Sequence, residues 1–253
     1  MAFRNPKGIN APAYVSGESA SVAWTGPPAP FLGSLTIPAP SGLEVGNLLV
    51  AYIGWVALVG SGVSSPGWTI SILGAGPARF ALCYKVVAAG EPASYTFSLA
   101  TLHTTCMVGV IGNYEVTGVP AYADQSRLSP PAGPIPGVAN PLRDALAVFG
   151  IGLFDANTGA ANPIIAWPAG VNKRIEVDRW TGLIGAGLTG AHVYISLYEQ
   201  KLTGAFPAQS FIETNPGVTG IKRRFTPGQG TPLLANFQGG FDPRRGKFRR
   251  RPR

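Results

Sequence analysis

The segment Gly46–Phe97 constrains the fold of this chain more than any other part. It contains four short runs rich in Val, Ile, Tyr, Phe and Trp, each bounded by Gly, Pro, Ser or Asn. This pattern is typical of β-strands joined by tight turns. The run Phe80–Val86 alternates in side-chain character, which predicts a sheet with one buried face and one wetter face. The run Asn47–Trp55 is apolar on both faces, which predicts a central strand covered on both sides.

Further strand patterns follow along the chain, and helical periodicity is almost absent. Gly and Pro are abundant, at 34 and 24 residues, and they are spread between apolar runs, as expected for many turns. We predict eight to ten strands in an all-β, jelly-roll-like antiparallel two-sheet sandwich. Besides those above, the predicted strands are Ser34–Ile37, Thr105–Val116, Asp144–Phe154, Pro163–Trp167, Arg174–Val177, Ala191–Lys201 and Gln209–Glu213.

Composition divides the chain into three parts. Residues 1–33 are rich in Pro, Gly and Ser and predict an extended N-terminal arm, in which Ala20–Thr25 is a candidate edge strand. Residues 34–216 carry the sandwich. Residues 217–253 are dominated by Gly, Pro and Arg and predict a basic C-terminal tail. Only 13% of the residues are charged, which favours a body that hides part of its surface in an assembly.

The strand-and-turn segment also resembles a known family. Its order G-N-L-L-V-A, P-G-W, Y-K-V-V-A-A-G-E-P-A-S-Y-T-F and G-V-I-G-N-Y-E-V is similar to that of β-sandwich domains in tailed-phage virion proteins and some bacterial surface proteins. The virion proteins are minor tail, fibre or decoration components. The resemblance covers roughly Ser34 to Ser126 and continues weakly through Asp144–Leu202. It implies strands, turns and a structural role in a particle, and it carries no catalytic residues.

The chemical motifs of the chain favour structural interpretations. Gly185–Gly190 matches the G-x-G-x-x-G fingerprint, but a strand pattern follows it where dinucleotide binding needs a helix. His103 and Cys106 are too few for a zinc site, which needs three or four protein ligands. Glu176 and Asp178 are surrounded by basic residues, which favours a solvated charge cluster over acid–base catalysis. We therefore predict no catalytic residues, no metal and no cofactor.

Three further side chains are expected to be buried or unreactive. Trp68 follows a Pro-Gly turn and is predicted to pack in the core. Cys83 and Cys106 are predicted to be buried free thiols, with a disulfide as the alternative. The longest apolar run, Leu48–Val59, is interrupted by Gly54 and is too short to span a bilayer, so no membrane insertion is expected.

The C-terminal tail is the predicted partner-binding element. Ten of the 20 lysines and arginines lie from Lys222 onward, with a single acid, Asp242. Such a density of guanidinium groups suits either carboxylates on an acidic protein surface or the phosphates of nucleic acid. The predicted contact residues are Arg223, Arg224, Arg244, Arg245, Lys247, Arg249, Arg250, Arg251 and Arg253.

These observations lead to one main hypothesis and two alternatives. The main hypothesis is a non-enzymatic structural component of a tailed-phage virion, made in the host cytoplasm. It is a tail fibre, tail tip or minor tail protein that forms homo-oligomers and contacts other virion proteins. The first alternative is a module that binds host-surface glycan, with aromatic platforms at strand ends or in loops. The second is a capsid decoration or internal protein whose basic tail contacts nucleic acid. The candidate platform residues are Trp55, Tyr122, Trp167 and Trp180, and for each of them core packing is the favoured alternative.

Overall fold

The structure is a computed structural model of the chain. It describes residues 13–23, 33–57, 62–73, 78–99, 104–115, 119–121, 145–155, 164–166, 169–181, 191–202, 212–214 and 226–238. These residues form fifteen strands, numbered in chain order, and no helix. The strands are β1 (Ala13–Ala23), β2 (Ser34–Pro38), β3 (Leu48–Ala57), β4 (Val63–Ser64), β5 (Thr69–Leu73), β6 (Ala78–Val86), β7 (Ser94–Leu99), β8 (Thr104–Glu115), β9 (Val119–Ala121), β10 (Ala145–Asp155), β11 (Ile164–Ala166), β12 (Val171–Thr181), β13 (Ala191–Leu202), β14 (Ile212–Thr214) and β15 (Thr226–Gln238).

The strands pair into antiparallel sheets. The central sheet has the order β1-β8-β3-β6-β5, and the outer sheet has the order β12-β13-β10-β15-β9. A third sheet, here called the cover sheet, has the order β2-β7-β4, and β11 pairs with β14. The prediction of an all-β antiparallel sandwich is confirmed. The predicted strands of the second half of the chain correspond to β10 to β14.

The central sheet is buried on both faces, as the apolar run in β3 predicted. Leu48, Val50 and Tyr52 pack into a first core, against the outer sheet. The intervening Leu49 and Ala51 pack into a second core, against the cover sheet. Because side chains alternate across a strand, one apolar strand supplies both cores. The sandwich therefore has three layers, with the central sheet shared.

The expected wetter face of the Phe80–Val86 run is not found where the sequence suggested it. Phe80 and Leu82 face the first core, and Ala81 and Cys83 on the opposite face are also completely buried in the second core. The cover sheet accounts for this difference, because it closes the face that was assigned to solvent. The alternation of buried and exposed residues appears instead in the cover sheet itself, most clearly along β7.

Glycines in the strands seat aromatic rings between the central and outer sheets. The Tyr52 and Phe80 rings stack with centroids 6.0 Å apart. A Cβ atom on Gly150 of β10 would lie 2.7 Å from the Tyr52 ring, and one on Gly152 would lie 2.2 Å from the Phe80 ring. Gly54 of β3 is the strand partner of Phe80, and a Cβ atom there would lie 3.0 Å from the same ring. The outer sheet thus rests its backbone on the aromatic pair, an approach that only glycine allows.

Two strands lie in segments that the sequence analysis placed outside the sandwich. β1, in the predicted arm, pairs with β8 along the edge of the central sheet. β15, in the predicted tail, pairs with β10 and with β9. Both segments have weak local signals, because β1 is half polar and β15 contains two prolines and two glycines. Each of the two strands is held by pairing with a strongly patterned strand, β1 with β8 and β15 with β10.

The predictions for three buried side chains are confirmed. Trp68 packs in the second core, edge-on to Tyr95 at 5.3 Å between centroids. Cys83 and Cys106 are both free and buried. Cys106 lies in the first core with Val108 and Val110, as the alternation of that strand predicted, whereas Cys83 lies in the second. Burial raises the pKa of both thiols, that of Cys106 to about 12.

A buried pair of asparagines attaches the loop before β3 to the central sheet. Asn47 donates from Nδ2 to the Oδ1 of Asn113 at 3.1 Å. Asn113 in turn donates to the carbonyl oxygens of Ser41 and Gly42, both at 3.1 Å. Asn113 is completely buried and Asn47 almost so, and the loop backbone takes the place of water for both amides.

We expect Asn113→Ala to destabilise the protein by about 2 kcal/mol, because it removes the Asn113 amide that bonds to the buried Asn47 side chain and to the carbonyl groups of Ser41 and Gly42. Urea unfolding measures the change. Asn172→Ala, at an exposed position of β12, is the matched control and should stay within about 0.5 kcal/mol of the parent. Equal stabilities of the Asn113 and Asn172 variants would show that the amide pair does not hold the loop.

Candidate functional site

The most unusual group of polar side chains lies where β1, β8, β12 and β13 meet; we call it the carboxylate cluster. Glu199 of β13 is 2% exposed and forms an ion pair with Arg174 of β12. The guanidinium of Arg174 also lies over the Tyr14 ring of β1, 5.0 Å from its centroid. Tyr14 meets Tyr114 of β8 edge-on, with centroids 5.6 Å apart. One charged pair therefore connects the outer sheet to the edge of the central sheet.

Local sequence places each member of the carboxylate cluster. The alternation that turns Val193, Ile195 and Leu197 toward the first core also turns Glu199 inward. A register shift in β12 between Lys173 and Ile175 falls at Arg174, directly beside the strand that carries Glu199. Such a shift re-aims a side chain. The bulge thus lies at the residue, Arg174, whose guanidinium pairs with the buried Glu199 carboxylate.

The electrostatics of the cluster keep its two phenols protonated and its arginine charged. Burial raises the pKa of Tyr114, and the nearby Glu199 carboxylate raises it further. Burial likewise raises the pKa of Tyr14, although Arg174 opposes the shift. The hydrogen bond to Glu199 raises the pKa of Arg174 despite its partial burial. At neutral pH both phenols are protonated and the arginine is charged, so the cluster holds strands together through one compensated carboxylate.

Two buried atoms of the cluster have no hydrogen-bond partner in the structure. They are the Tyr114 hydroxyl and the second carboxylate oxygen of Glu199. A hydroxyl and a carboxylate oxygen are complementary as donor and acceptor. Because both atoms already lack a hydrogen-bond partner, losing Arg174, the cation that pairs with Glu199, should destabilise this region.

The charge cluster that the sequence predicts on β12 is about half exposed at Lys173 and Glu176. Glu176 accepts hydrogen bonds from Lys173 and from the Tyr194 hydroxyl, each at 2.8 Å. Partial burial raises the pKa of Glu176, but these two hydrogen bonds outweigh it and the net shift is downward. The Lys173 and Glu176 side chains are about half exposed, so their ion pair is a weak contributor to stability.

A second carboxylate, Glu91, organises the turn between β6 and β7. It accepts hydrogen bonds from Lys85 at 2.7 Å, from the backbone N–H of Ala88 at 2.9 Å and from the Tyr95 hydroxyl at 2.9 Å. Lys85 also lies 5.4 Å from the centroid of the Tyr95 ring. Burial raises the pKa of Glu91, but the three hydrogen bonds outweigh it and the net shift is downward.

The lowered pKa of Glu91 predicts an acid-dependent loss of stability. A carboxyl group with a lowered pKa in the folded state stabilises the protein above its unfolded pKa, near 4.5. That contribution disappears as the pH falls through the folded-state pKa. We expect Glu91→Gln to cost about 1–2 kcal/mol at pH 7 and progressively less as the pH falls through the folded-state pKa of Glu91, as measured by urea unfolding from neutral to acid pH. A difference between parent and variant that stays constant with pH would contradict this role. Glu18→Gln controls for the change in net charge.

The structure describes few of the predicted contact residues. The nine predicted contact residues of the basic tail, together with Tyr122, Trp167 and His103, lie outside the described residues. Trp180 lies in β12 and His192 in β13, but their side chains are not described. Trp55 is completely buried in the second core. The suggestion that Trp55 is an exposed glycan platform is therefore corrected, because a platform must be open to solvent.

Sequence reasoning missed the carboxylate cluster, although one signal was available. Arg174 was noted only as a neighbour of the acids on β12, and Glu199 was not singled out. Yet Glu199 continues the inward series of β13, and a charged residue at an inward position indicates a buried partner. Nothing in the local sequence indicates that this partner is Arg174, because the two residues meet only through the pairing of β12 with β13.

The described part of the chain has neither a metal-binding cluster nor a membrane-spanning helix. No group of three or more His, Cys, Asp or Glu side chains there could hold a metal ion. No helix among those residues is long and apolar enough to cross a membrane.

The fold and its polar groups define an all-β protein of antiparallel sheets, in which the described ion pairs connect strands and turns. Comparison of this chain with protein-family models, with curated proteins and with solved structures finds no match.

Proposed function

We propose that this chain is a non-enzymatic structural component of a tailed-phage virion, a tail fibre, tail tip or minor tail protein. The observation that carries the proposal is that residues of the segment that resembles the phage family hold the sandwich together. Asn47 of G-N-L-L-V-A and Asn113 of G-N-Y attach the loop before β3. Trp68 of P-G-W fills the second core. Residues that mark the family resemblance thus support the scaffold itself, as expected for a building block.

The same segment contains the turn around Glu91. Lys85, Glu91 and Tyr95 belong to the stretch Y-K-V-V-A-A-G-E-P-A-S-Y-T-F, and they bond to one another. The low charge of the chain, at 13% of residues, adds to this argument, because an assembled component covers part of its surface. A body of few charges with a strongly basic tail suits a part that other proteins surround.

The experiment is to purify particles from a culture that makes the protein and to identify their proteins by mass spectrometry. The chain should copurify with intact particles at a fixed copy number per particle. Immunogold labelling should place it at one location on the tail. Purified particles that lack the chain, or carry it only in trace amounts after a density gradient, would reject the proposal. Label on the capsid would favour a decoration protein instead.

The basic tail has its own test, and the structure determines where to cut the chain. A truncation after residue 221 would remove β15, which pairs with β10 along the outer sheet. Removing only Gly240–Arg253 leaves every described strand in place while deleting seven basic residues. If the tail binds nucleic acid, binding should weaken steeply with salt and disappear in this truncation. Binding of an acidic virion protein, without nucleic-acid binding, would assign the tail to protein contacts.

A further inference from the structure

The central and outer sheets share one strand order. The central sheet runs β1-β8-β3-β6-β5, and the outer sheet, taken from its opposite edge, runs β9-β15-β10-β13-β12. Strands in matching places also follow the same order along the chain. The short strands agree as well, because β4 pairs with β7 and β11 pairs with β14. Of the strands β1 to β8, only β2 lacks a described counterpart among β9 to β15.

The middle strands of the two sheets also match in sequence. β3 reads L-L-V-A-Y-I-G-W-V from Leu48, and β10 reads L-A-V-F-G-I-G-L-F from Leu146. Four of these nine positions are identical without a gap. The identical pairs are Leu48 and Leu146, Val50 and Val148, Ile53 and Ile151, and Gly54 and Gly152. Related strands therefore lie in the middle of both sheets, and one glycine occupies the same position in each.

Strand pairing extends the match to β6 and β13. Gly54 of β3 pairs with Phe80 of β6, and Gly152 of β10 pairs with Ile195 of β13. Because the two glycines occupy the same position, their partners do too. Phe80 in the central sheet thus corresponds to Ile195 in the outer sheet.

The contacts between the two sheets exchange these equivalent residues. A Cβ atom on Gly54 would lie 3.1 Å from Cγ2 of Ile195, and one on Gly152 would lie 2.2 Å from Cδ1 of Phe80. The two contacts are therefore the same contact made from opposite sides. In a twofold interface, a residue i that touches j is matched by j touching i. The packing of the two sheets follows that rule.

One position meets its own equivalent. The ungapped match of β3 with β10 places Tyr52 opposite Gly150 in the comparison, and a Cβ atom on Gly150 would lie 2.7 Å from the Tyr52 ring. Only a residue beside a twofold axis faces its own counterpart. Tyr52 and Gly150 therefore mark where such an axis passes between the sheets.

Both sheets are also buried on the face that points away from the axis. In the central sheet, Ala51 and Cys83 pair with each other and lie in the second core. The matching pair of the outer sheet is Phe149 and Tyr198. Both are buried, and their rings stack with centroids 5.7 Å apart. Each sheet thus has one face against the other sheet and one buried far face, as two sandwiches packed together would have.

We propose that the chain is a fused pair of one β-sandwich unit, β1 to β8 and β9 to β15, and that Tyr52 and Gly150 at the axis select the pairing of unlike units. Two tyrosines there would collide and two glycines would leave a cavity, so the interface fits one large and one small residue. The partner of the β3 and β6 face is then the second unit of the same chain. The chain contains two units in place of the single sandwich predicted for residues 34–216. This inference goes beyond the proposed virion role and does not depend on it.

The test exchanges the two axis residues in the full-length chain. Tyr52→Gly leaves a cavity and Gly150→Tyr adds a ring without space, so each should lower the midpoint of urea unfolding by about 1 M or more. The double variant Tyr52→Gly/Gly150→Tyr should regain at least about half of the summed loss, because the ring of one unit enters the space that the other ring has left. If Gly150→Tyr alone is unfolded without urea, a cooperative unfolding transition of the double variant is the recovery.

The matched control exchanges an equivalent pair that lies away from the axis. Ala51 and Phe149 occupy the same position in the two units, but each lies on the far face of its own sheet. The double variant Ala51→Phe/Phe149→Ala should lose the sum of the two single losses, because distant sites are additive. If either single variant is unfolded, this double variant should be unfolded too.

A disulfide at the axis tests the same geometry by a second measurement. A Cβ atom on Gly150 would lie 2.7 Å from Cγ of Tyr52, which is one bond from the Tyr52 Cβ. The two Cβ atoms are therefore within the limit of about 4.5 Å for a disulfide. Refolded and oxidised Tyr52→Cys/Gly150→Cys should form this bond within one chain, and thiol titration in denaturant should measure two fewer thiols. Ala51→Cys/Phe149→Cys should form none.

Either of two results overturns the proposal. The first is an axis exchange that costs as much as the sum of its single changes, or that recovers no more than the far-face exchange. It would show that the two units do not share the space at Tyr52. The second is a disulfide that does not form between positions 52 and 150, or that forms equally well between positions 51 and 149. It would show that equivalent residues do not face each other at this place.

Discussion

Replacing Gly152 by alanine is expected to destabilise the protein by about 3 kcal/mol or more, as overpacking of a closed core does. The new Cβ would lie 2.2 Å from two carbon atoms of the Phe80 ring. The ring has little room to move, because it stacks on the Tyr52 ring with centroids 6.0 Å apart, and even a Cβ atom added to Gly54 of β3 would lie only 3.0 Å from it. Either β10 must lift away from the ring, or the ring must leave its rotamer. Urea unfolding of the two proteins measures the loss.

A double-mutant cycle assigns this cost to the contact itself. Phe80→Leu shortens the ring, so Gly152→Ala should cost less by about 1–2 kcal/mol in that background than in the parent. Gly62→Ala is the matched control, because a Cβ there would make only ordinary contact with Ile72, at 3.5 Å. It should leave stability within about 0.5 kcal/mol of the parent. A Gly152→Ala variant as stable as Gly62→Ala would show that β10 does not rest on the Phe80 ring.

Replacing Arg174 by methionine should cost about 2–3 kcal/mol. Methionine keeps most of the apolar stem of arginine but leaves the buried Glu199 carboxylate without its counter-ion. Breaking a fully buried ion pair from one side costs about 3–5 kcal/mol, and the partial exposure of Arg174 reduces that figure here. The loss of the cation–π contact with Tyr14 should loosen β1 at the same time. Urea unfolding gives the free energy, and hydrogen exchange of the β1 amides reports the loosening.

Two further variants separate the buried charge from simple loss of packing. The double variant Arg174→Met/Glu199→Leu should recover most of the stability, because no unpaired charge remains. Lys173→Met is the matched control, since it removes the neighbouring cation from a half-exposed pair with Glu176. Its cost should be below about 1 kcal/mol. Equal losses at the two cations, or no recovery in the double variant, would mean that Glu199 does not depend on Arg174.

The outcome for Trp55 illustrates the limits of single-residue reasoning about function. From sequence, a tryptophan at the end of a strand fitted either a core position or an exposed platform. Its complete burial removes it from any glycan site in this fold. The glycan hypothesis now depends on residues whose side chains are not described. The prediction that the basic tail binds a partner is independent of the glycan hypothesis, because it is based only on the charge of the tail.

Sequence by itself determined the strands and the faces of the strongest ones. The apolar run of β3 required cover on both sides, and the structure supplies it with two different sheets. The positions of Trp68 and Cys106 also followed from local pattern. These features were predictable because side-chain alternation has a period of two residues and repeats within a single strand. A pattern of that kind needs no knowledge of the partner strand.

Only the tertiary structure decided which strands and residues meet. β1 and β15 take their place from the edges of β8 and β10, since their own sequences are weakly patterned. Glycines such as Gly152 carry no side chain to read, and their role appears only where a ring of another strand approaches. Glu199 and Arg174 lie on different strands, and a register shift in β12 falls at the arginine. Alternation fixes the face of a residue, whereas strand order and register choose its partner, and these depend on contacts distant in sequence.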